Sequence, residues 1–407
     1  QGMRFTDGHS SSGICTPSRY AMLSGRYHWR KFHGIVGTFE GSAFDAEELT
    51  LPEMLQEEGY TTALIGKWHL GWDWDSILKP GASPIKASRQ TQRAGGEISK
   101  SSPRKTYGPD AFNWSEPIAG GPLAHGFDYY FGDTVINFPP YCWIENDRVV
   151  KAPDRMLDVS NFRPLQEAFC SYRPGPMVAG WEPYDNVPVT TAKGVRKIHE
   201  LAGGEKPFFL FFSFPSPHAP IIPNDSFAGK SEAGPYGDYV YETDVACGRL
   251  IRAIEDAGVA DNTIIIFTAD NGAEWFAYER EEKTGHWSSH PLRGLKRDIY
   301  EGGHRVPFIV KWPEVVDAGT VSHALVSQID LMATFAGMLG YELPAGQAED
   351  SYNQMAVLRG DAASVRETHV HNTWEERYAL RHGDWVLIDD ESGHSRIRPV
   401  TRAWETR

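Results

Sequence analysis

No apolar run in this sequence is long enough to cross a bilayer. The longest, Phe208 to Phe214, falls far short of the roughly 20 residues a membrane helix needs and reads as a buried strand. Cysteine is scarce: Cys15, Cys142, Cys170 and Cys247 are too few and too scattered for a disulfide framework or a zinc site. Positive charge is in deficit, with 40 Lys and Arg against 54 Asp and Glu for a net charge of −14, which argues against non-specific nucleic-acid binding. The chain begins at Gln1 without an initiator Met or a signal peptide, and is expected to run straight into a loop with no strand ahead of residue 15. Length is not lacking. At 407 residues the chain can bury a large core, enough for one big domain plus part of a smaller one.

The stretch the rest is arranged around is Ile14-Cys15-Thr16-Pro17-Ser18-Arg19-Tyr20-Ala21-Met22-Leu23-Ser24-Gly25-Arg26. Pro17 suits the first turn of a helix, where its missing N–H costs nothing; Met22 and Leu23 give an apolar face, and Gly25 ends it. Cys15 then stands at the positive end of a short helix with Arg19 one turn on, a good place for a nucleophile attacking an anion. By itself Cys15 also reads as a buried structural thiol, or as an ordinary thiolate of depressed pKa with a base nearby.

Thr50-Leu51-Pro52-Glu53 is a capping box that starts a helix ending near Gly59. Tyr60 to Ile65 reads as a buried strand running into Gly66-Lys67-Trp68-His69. That places two cationic side chains at the carboxyl edge of a sheet, where open α/β proteins bind ligands. From Ser76 to Pro109 the composition turns to Pro, Gly, Ser and basic residues with no helical or strand period. A long loop insertion is expected there, its cations either steering a polyanion or forming a solvated surface. Phe138 to Trp143 is either a sugar-stacking wall, with Trp143 a possible substrate contact, or ordinary core.

Val189 to Leu201 reads as a helix. Phe208 to Phe214 is apolar on both alternations, which marks a central parallel strand covered on both faces; it exits into Pro215-Ser216-Pro217-His218 and presents His218 at a second strand end. Tyr239 to Ala257 is a helix stopped by Gly258, and Thr263 to Ala269 is a buried strand that ends in Asp270-Asn271-Gly272. A carboxylate beside an amide oxygen suits a hard divalent ion, Ca²⁺ or Mg²⁺ rather than zinc, although the same tripeptide serves as an ordinary turn. His286 and His290 either reach a substrate or stay on the surface. Lys296 precedes Tyr300-Glu301-Gly302-Gly303-His304-Arg305-Val306-Pro307 and a strand to Trp312, and an amphipathic helix from Ile329 to Gly340 closes the main domain. Trp385 to Ile388 is a further strand, followed by an arginine-rich polar tail.

Several of these stretches together resemble the type I, formylglycine-dependent sulfatases of the alkaline-phosphatase-like superfamily, which include arylsulfatases and carbohydrate sulfatases. The likeness is carried by C-T-P-S-R-x-x-x-L-S-G-R from Cys15, G-Y-T-T-A-L-I-G-K-W-H-L-G from Gly59, the scaffold stretch His125 to Gly132, R-G-x-K ending at Lys296, and Y-E-G-G-x-R-x-P from Tyr300. It implies an α/β fold, a mostly parallel central sheet sandwiched by helices over residues 1–340 with the basic insertion at 76–109. A partial C-terminal α+β subdomain would follow over 341–407. It also implies a formylglycine made from Cys15 by a formylglycine-generating maturation enzyme, and three strand ends and one helix start converging on a single crevice.

In the family pattern the hydrated aldehyde is the nucleophile, a covalent sulfo-enzyme forms, and the aldehyde returns as sulfate leaves. Carried over by motif, Arg19 orients the nucleophile and supports the metal site, Lys67 and His69 hold the hydrate, Lys296 grips a sulfate oxygen and His218 protonates the leaving alcohol. Asp270 and Asn271 bind Ca²⁺, in preference to Mg²⁺, together with paired aspartates on an upstream strand. Since that strand is not in the sequence, the chain is read as a fragment lacking both ends, with little activity until the strand is restored. The resemblance further implies a sulfated small-molecule or carbohydrate substrate, no nucleic-acid partner, no membrane span and a periplasmic or extracellular location. Two other functions stay open: a phosphodiester or phosphonate hydrolase of the same superfamily, and a non-catalytic binder of sulfated glycans in which Cys15 is never converted or the metal site is incomplete.

Overall fold

A strand, β1 (Met3–His9), precedes Cys15, which corrects the expectation of a bare loop there. Met3 and Phe5 point inward and Arg4 outward, but Gly2, Gly8 and the polar Thr6-Asp7 pair leave too little alternation for the segment to read as a strand. In the computed structural model, which describes residues 2–390, it is followed in chain order by α1 (Cys15–Ser24), α2 (Leu51–Glu57), β2 (Thr61–Gly66), β3 (Tyr129–Gly132) and α3 (Asn186–Ala202). Then come β4 (Phe208–Ser213), α4 (Gly234–Asp256), β5 (Ile265–Thr268), β6 (Phe308–Lys311), β7 (Val321–Ser327) and α5 (Leu331–Leu339). Toward the end of the described residues lie β8 (Thr368–Asn372), β9 (Tyr378–His382) and β10 (Trp385–Asp389), and shorter elements lie between those named. The arginine-rich tail lies outside the described residues.

The chain divides into two units, one built from Gln1–Ile35, Asp45–Met54 and the residues from Asp261 onward, the other from Val36–Phe44 and Leu55–Ala260. In the first unit β1 is an inner strand of a four-stranded sheet ordered β5-β6-β1-β7, antiparallel to β6 and parallel to β7. Its buried face joins Met3 and Phe5 to Phe308, Val310, Ala324 and Val326, with Phe5 edge-on to Phe308 at 5.5 Å. Gly8 is needed at this crossing because a Cβ there would stand 2.6 Å from the Phe308 Cβ. Strands β8, β9 and β10 form a separate antiparallel sheet in the same unit.

His28 lies fully buried in this unit and its ring Nε2 is 2.8 Å from Asn372 Oδ1. Burial pushes its pKa down to about 3, with the Asn372 bond pulling weakly the other way. Since the folded-state value lies below the ordinary one, neutral His28 stabilises the fold fully above about pH 6.5, and that contribution is lost as the pH falls toward 3. Urea midpoints measured between pH 7 and 4 are expected to fall steeply for the natural chain and less steeply for His28→Gln, the difference reaching a few kcal/mol, about 1.4 per pH unit at most. Parallel slopes would show that His28 titrates normally in the fold.

In the second unit β4, β2 and β3 lie parallel in a five-stranded sheet that the short strands 144–145 and 148–149 continue in antiparallel sense. Helices α3 and α4 pack on it through Ile198, Leu250 and Ala253 against Leu210 and Phe212. The α/β reading thus holds, with parallel pairs at β4-β2-β3 and β1-β7 and antiparallel neighbours elsewhere. Two strands differ from expectation. β4 and β5 each take the edge of their sheet with one strand partner among the described residues, so Phe208 to Phe212 are half-buried and Phe267 is exposed.

Residues 76–109 are also not a bare loop. Ile85–Ala87 pairs with Arg104–Thr106, and Gln90–Arg93 lies between Ile98–Lys100 and Phe169–Tyr172. Their inward side chains are polar, Gln90 and Gln92, so no hydrophobic alternation announces a strand. Gln90 serves as a core residue by donating to Leu157 O at 2.6 Å and accepting from Val159 N–H at 3.1 Å. Lys86, Arg93, Lys100, Arg104 and Lys105 all stay on the exposed side.

Candidate active site

Cys15 is the first residue of α1, 5% exposed, behind an extended Ile14. Ser18 Oγ lies 2.9 Å from Ser12 O and 3.1 Å from Ile14 O, so it ties the turn to the loop before it, and Gly25 closes the helix in the left-handed region at φ 65°. The backbone N–H groups of the first turn therefore stand at the cysteine end, where a helix favours negative charge.

One turn on, Arg19 Nε donates to Asp270 Oδ2 at 2.9 Å. Asp270 leaves the end of β5, and the loop that follows is held close: Gly272 N–H donates to Gly303 O at 2.8 Å, and a Cβ on Gly272 would sit 1.9 Å from Gly302 O. Asn271 donates through Nδ2 to Gly272 O at 3.0 Å, while its Oδ1 is buried with no hydrogen-bond partner. An orphaned buried amide oxygen next to a carboxylate fits a hard divalent cation.

Lys296, also buried, follows from a loop sewn on both sides. Its N–H donates to Ala273 O at 2.8 Å, and that of Arg297 donates to Gly13 O at 2.9 Å, just ahead of Cys15. Both side chains converge on Glu274, with Arg297 Nη1 at 2.6 Å from Oε1 and Lys296 Nζ at 3.7 Å from Oε2. Burial alone would raise the Glu274 pKa, but Arg297 and Lys296 outweigh it and hold the carboxyl well below its usual range. Sequence reading missed Glu274 and Arg297. The φ of 77° at Arg297 aims it from a conformation that no periodicity signals.

The second unit carries the other three expected residues. β2 and β4 run in parallel register with Gly66 opposite Ser213, so Lys67 and His69 leave one strand end and the His218 loop leaves its neighbour. Gly66 has φ 104°, and a Cβ would come within 2.0 Å of Ser213 O; Lys67 N–H donates to that same carbonyl at 3.0 Å. His69, nearly buried and at φ 56°, has Nε2 3.2 Å from Val36 O and meets Phe138 edge-on. His218 Nδ1 lies 2.6 Å from Ala219 O, so Nδ1 carries a proton that it donates to that carbonyl and Nε2 is the nitrogen left for chemistry.

Asp133 is a further residue the sequence did not flag. Burial raises its pKa to about 6 against the lowering effects of the bond from Asn186 Nδ2 at 2.6 Å and of Lys67 nearby. Of the two offered substrate contacts, His286 is exposed beyond the helix Ala277–Thr284, and Trp143 is half-buried and stacked on Phe131 at 5.3 Å, so one of its faces is covered.

Residues 1–341 match the family model described as Sulfatase. The chain belongs to the sulfatase family. These are sulfuric ester hydrolases, and membership implies a formylglycine and a divalent metal. The chain is 28% identical to an N-acetylgalactosamine-6-O-sulfatase of Bacteroides thetaiotaomicron, over 96% of this chain and 76% of that protein. It is also 28% identical to the human N-acetylgalactosamine-6-sulfatase, over 92% of this chain and 66% of that one, and 30% identical to human arylsulfatase A, over 90% and 62%. This sulfatase chain thus spans under two thirds of both human relatives.

Among solved structures it superposes with a TM-score of 0.76 and 29% identity on a chain described for the metabolism of multiple glycosaminoglycans by Bacteroides thetaiotaomicron, covering 96% of this chain and 80% of that one. A phosphonate monoester hydrolase from Silicibacter pomeroyi, at 16% identity and a TM-score of 0.56, shares the fold alone.

Proposed function

We propose that this sulfatase removes a sulfate ester from a carbohydrate through a formylglycine made from Cys15 and a Ca²⁺ ion at Asp270 and Asn271, with 6-O-sulfated N-acetylgalactosamine the first substrate to try. The observation that carries the reading is Cys15 on the first turn of α1, with Arg297 tied to Gly13 ahead of it and Arg19 paired to Asp270 behind it. Sulfate-ester cleavage needs this surplus of donors and cations, because the ester oxygens repel an incoming nucleophile and charge moves to the leaving oxygen.

When present, the hydrated aldehyde supplies a hydroxyl nucleophile and the cation draws charge from a sulfate oxygen. The remaining work belongs to the chain. Arg19 keeps Asp270 oriented, and Glu274 holds Lys296 and Arg297 in place, with Lys296 donating to sulfate. Lys67 and His69 donate to the hydrate, while His218 delivers a proton from Nε2 to the alcohol. The sugar class is supported by the names of the relatives and by the exposed cations of residues 86–105, which suit a polyanionic polymer.

The test uses the full-length protein expressed beside a formylglycine-generating enzyme, reading the mass of the Cys15 peptide and the sulfate released from 6-sulfated N-acetylgalactosamine. Aldehyde at Cys15 with sulfate release is expected. An unmodified thiol, in a host that converts a control sulfatase, would move the assignment to a glycan-binding protein. Faster turnover of phosphonate or phosphodiester substrates would move it to that branch of the superfamily.

A further inference from the structure

Four side chains far from one another in sequence meet in the first unit: His9 on β1, Glu301 and His304 in the turn before β6, and His371 on β8. One potential ligand atom from each lies within 4.8 Å of all the others, and the three histidines are at most 1% exposed. Their hydrogen bonds fix the tautomers. His9 Nε2 stands 2.7 Å from Asp7 Oδ1 and His304 Nε2 stands 3.2 Å from Ile299 O, so each neutral ring donates through Nε2 and keeps a bare lone pair on Nδ1.

Those two Nδ1 atoms face each other at 3.1 Å. Two lone pairs so placed repel unless something electrophilic lies between them, and the separation is close to the roughly 3.3 Å between two nitrogens on one tetrahedral zinc. Beside them, neither ring nitrogen of His371 has a hydrogen-bond partner, and Glu301 Oε1 is buried without one. His369, by contrast, is satisfied by Tyr27 Oη and Ser10 O.

We infer that His9, His304, His371 and Glu301 form a structural site for a divalent transition ion, zinc first, which shares no residue with Asp270 and Asn271. Imidazole nitrogens select such an ion over Ca²⁺. Arg305 and Arg381 already balance Asp7 and Glu301, so nitrogen donation rather than net negative charge would hold it. The Asp7–His9 and Ile299–His304 bonds are the outer contacts that orient metal-bound histidines. His371 is stacked on His304 at 3.5 Å between centroids and would join by turning about its Cβ–Cγ bond. The ion would pin β1 and β8 to the turn at 301–304, on the framework that carries Cys15.

The full-length protein, dialysed against Zn²⁺ and then buffer with Ca²⁺ in excess throughout, is expected to retain one zinc per chain by elemental analysis. Co²⁺ in its place should give the intense visible bands of a tetrahedral ion. His371→Ala should lose the bound zinc while exposed His323→Ala keeps it. Absence of retained zinc, a weak octahedral cobalt spectrum, or full retention by folded His371→Ala would each overturn the site. Should His371→Ala not fold, the zinc content and cobalt spectrum of the unmutated protein still decide.

Discussion

Replacing Cys15 by Ala in the full-length protein is expected to reduce sulfate release at least about 10⁴-fold while glycan binding persists, because the change removes the nucleophile and leaves the surrounding donors in place. The loss should fall on kcat, since Arg19 keeps its bond to Asp270, and Lys296 and Arg297 keep Glu274, when the thiol is removed. Stability should change little: the residue is small, lies at a helix terminus, and Ala suits the first turn. Initial rates of sulfate release, with isothermal titration of the same substrate, measure both halves. Residual activity within tenfold of the natural protein would remove Cys15 from the chemistry.

Arg366→Ala should be the most damaging single change for folding, costing about 3–5 kcal/mol, the range for stripping one partner from a buried ion pair. Arg366 and Asp330 are 3% and 2% exposed, and the guanidinium bonds both carboxylate oxygens, with Nε at 3.0 Å from Oδ2. The same carboxylate accepts the N–H groups of Ser327 and Tyr352, each at 3.0 Å, and Gln354 Nε2 at 2.8 Å. Arg366 also donates to Asp350 O at 2.7 Å, while the Asp350 carboxylate accepts Tyr27 N–H at 2.8 Å and Arg30. Removing Arg366 would leave a buried carboxylate without its countercharge at the hub of segments just past α1, at α5 and before β8.

By comparison Glu279→Ala, which breaks an exposed pair with Lys283 at 4.0 Å, should change stability by no more than about 0.5 kcal/mol. Urea unfolding followed by tryptophan fluorescence compares the two. Equal midpoints for Arg366→Ala and the natural protein would mean that water replaces the guanidinium.

Local chemistry, contained in a few consecutive residues, was legible from sequence. Pro17 and Gly25 bracket α1, and the Thr50–Glu53 capping box is present with Thr50 N–H donating to Glu53 Oε2 at 2.7 Å. The apolar runs into Gly66-Lys67, Pro215 and Asp270 are strands whose carboxyl ends carry the expected side chains. Motif spacing did the rest, and it named the family. Where the pattern is not hydrophobic it gave no warning. The inward glutamines of Gln90–Arg93 hide a strand, and Gly2 and Gly8 hide β1. The doubly apolar β4 does not reveal that it pairs with a single strand among the described residues, since neighbours, not the strand itself, cover its faces.

Contacts across hundreds of residues were decided by packing alone. The anchoring of Lys296 and Arg297 on Glu274, the orphaned oxygen of Asn271, the pairing of Arg366 with Asp330, and the meeting of His9, His304 and His371 each depend on where separate strands and turns arrive. A sequence motif specifies which groups are available; the burial that removes water from them, and so fixes their charge and partners, exists only once the chain has folded.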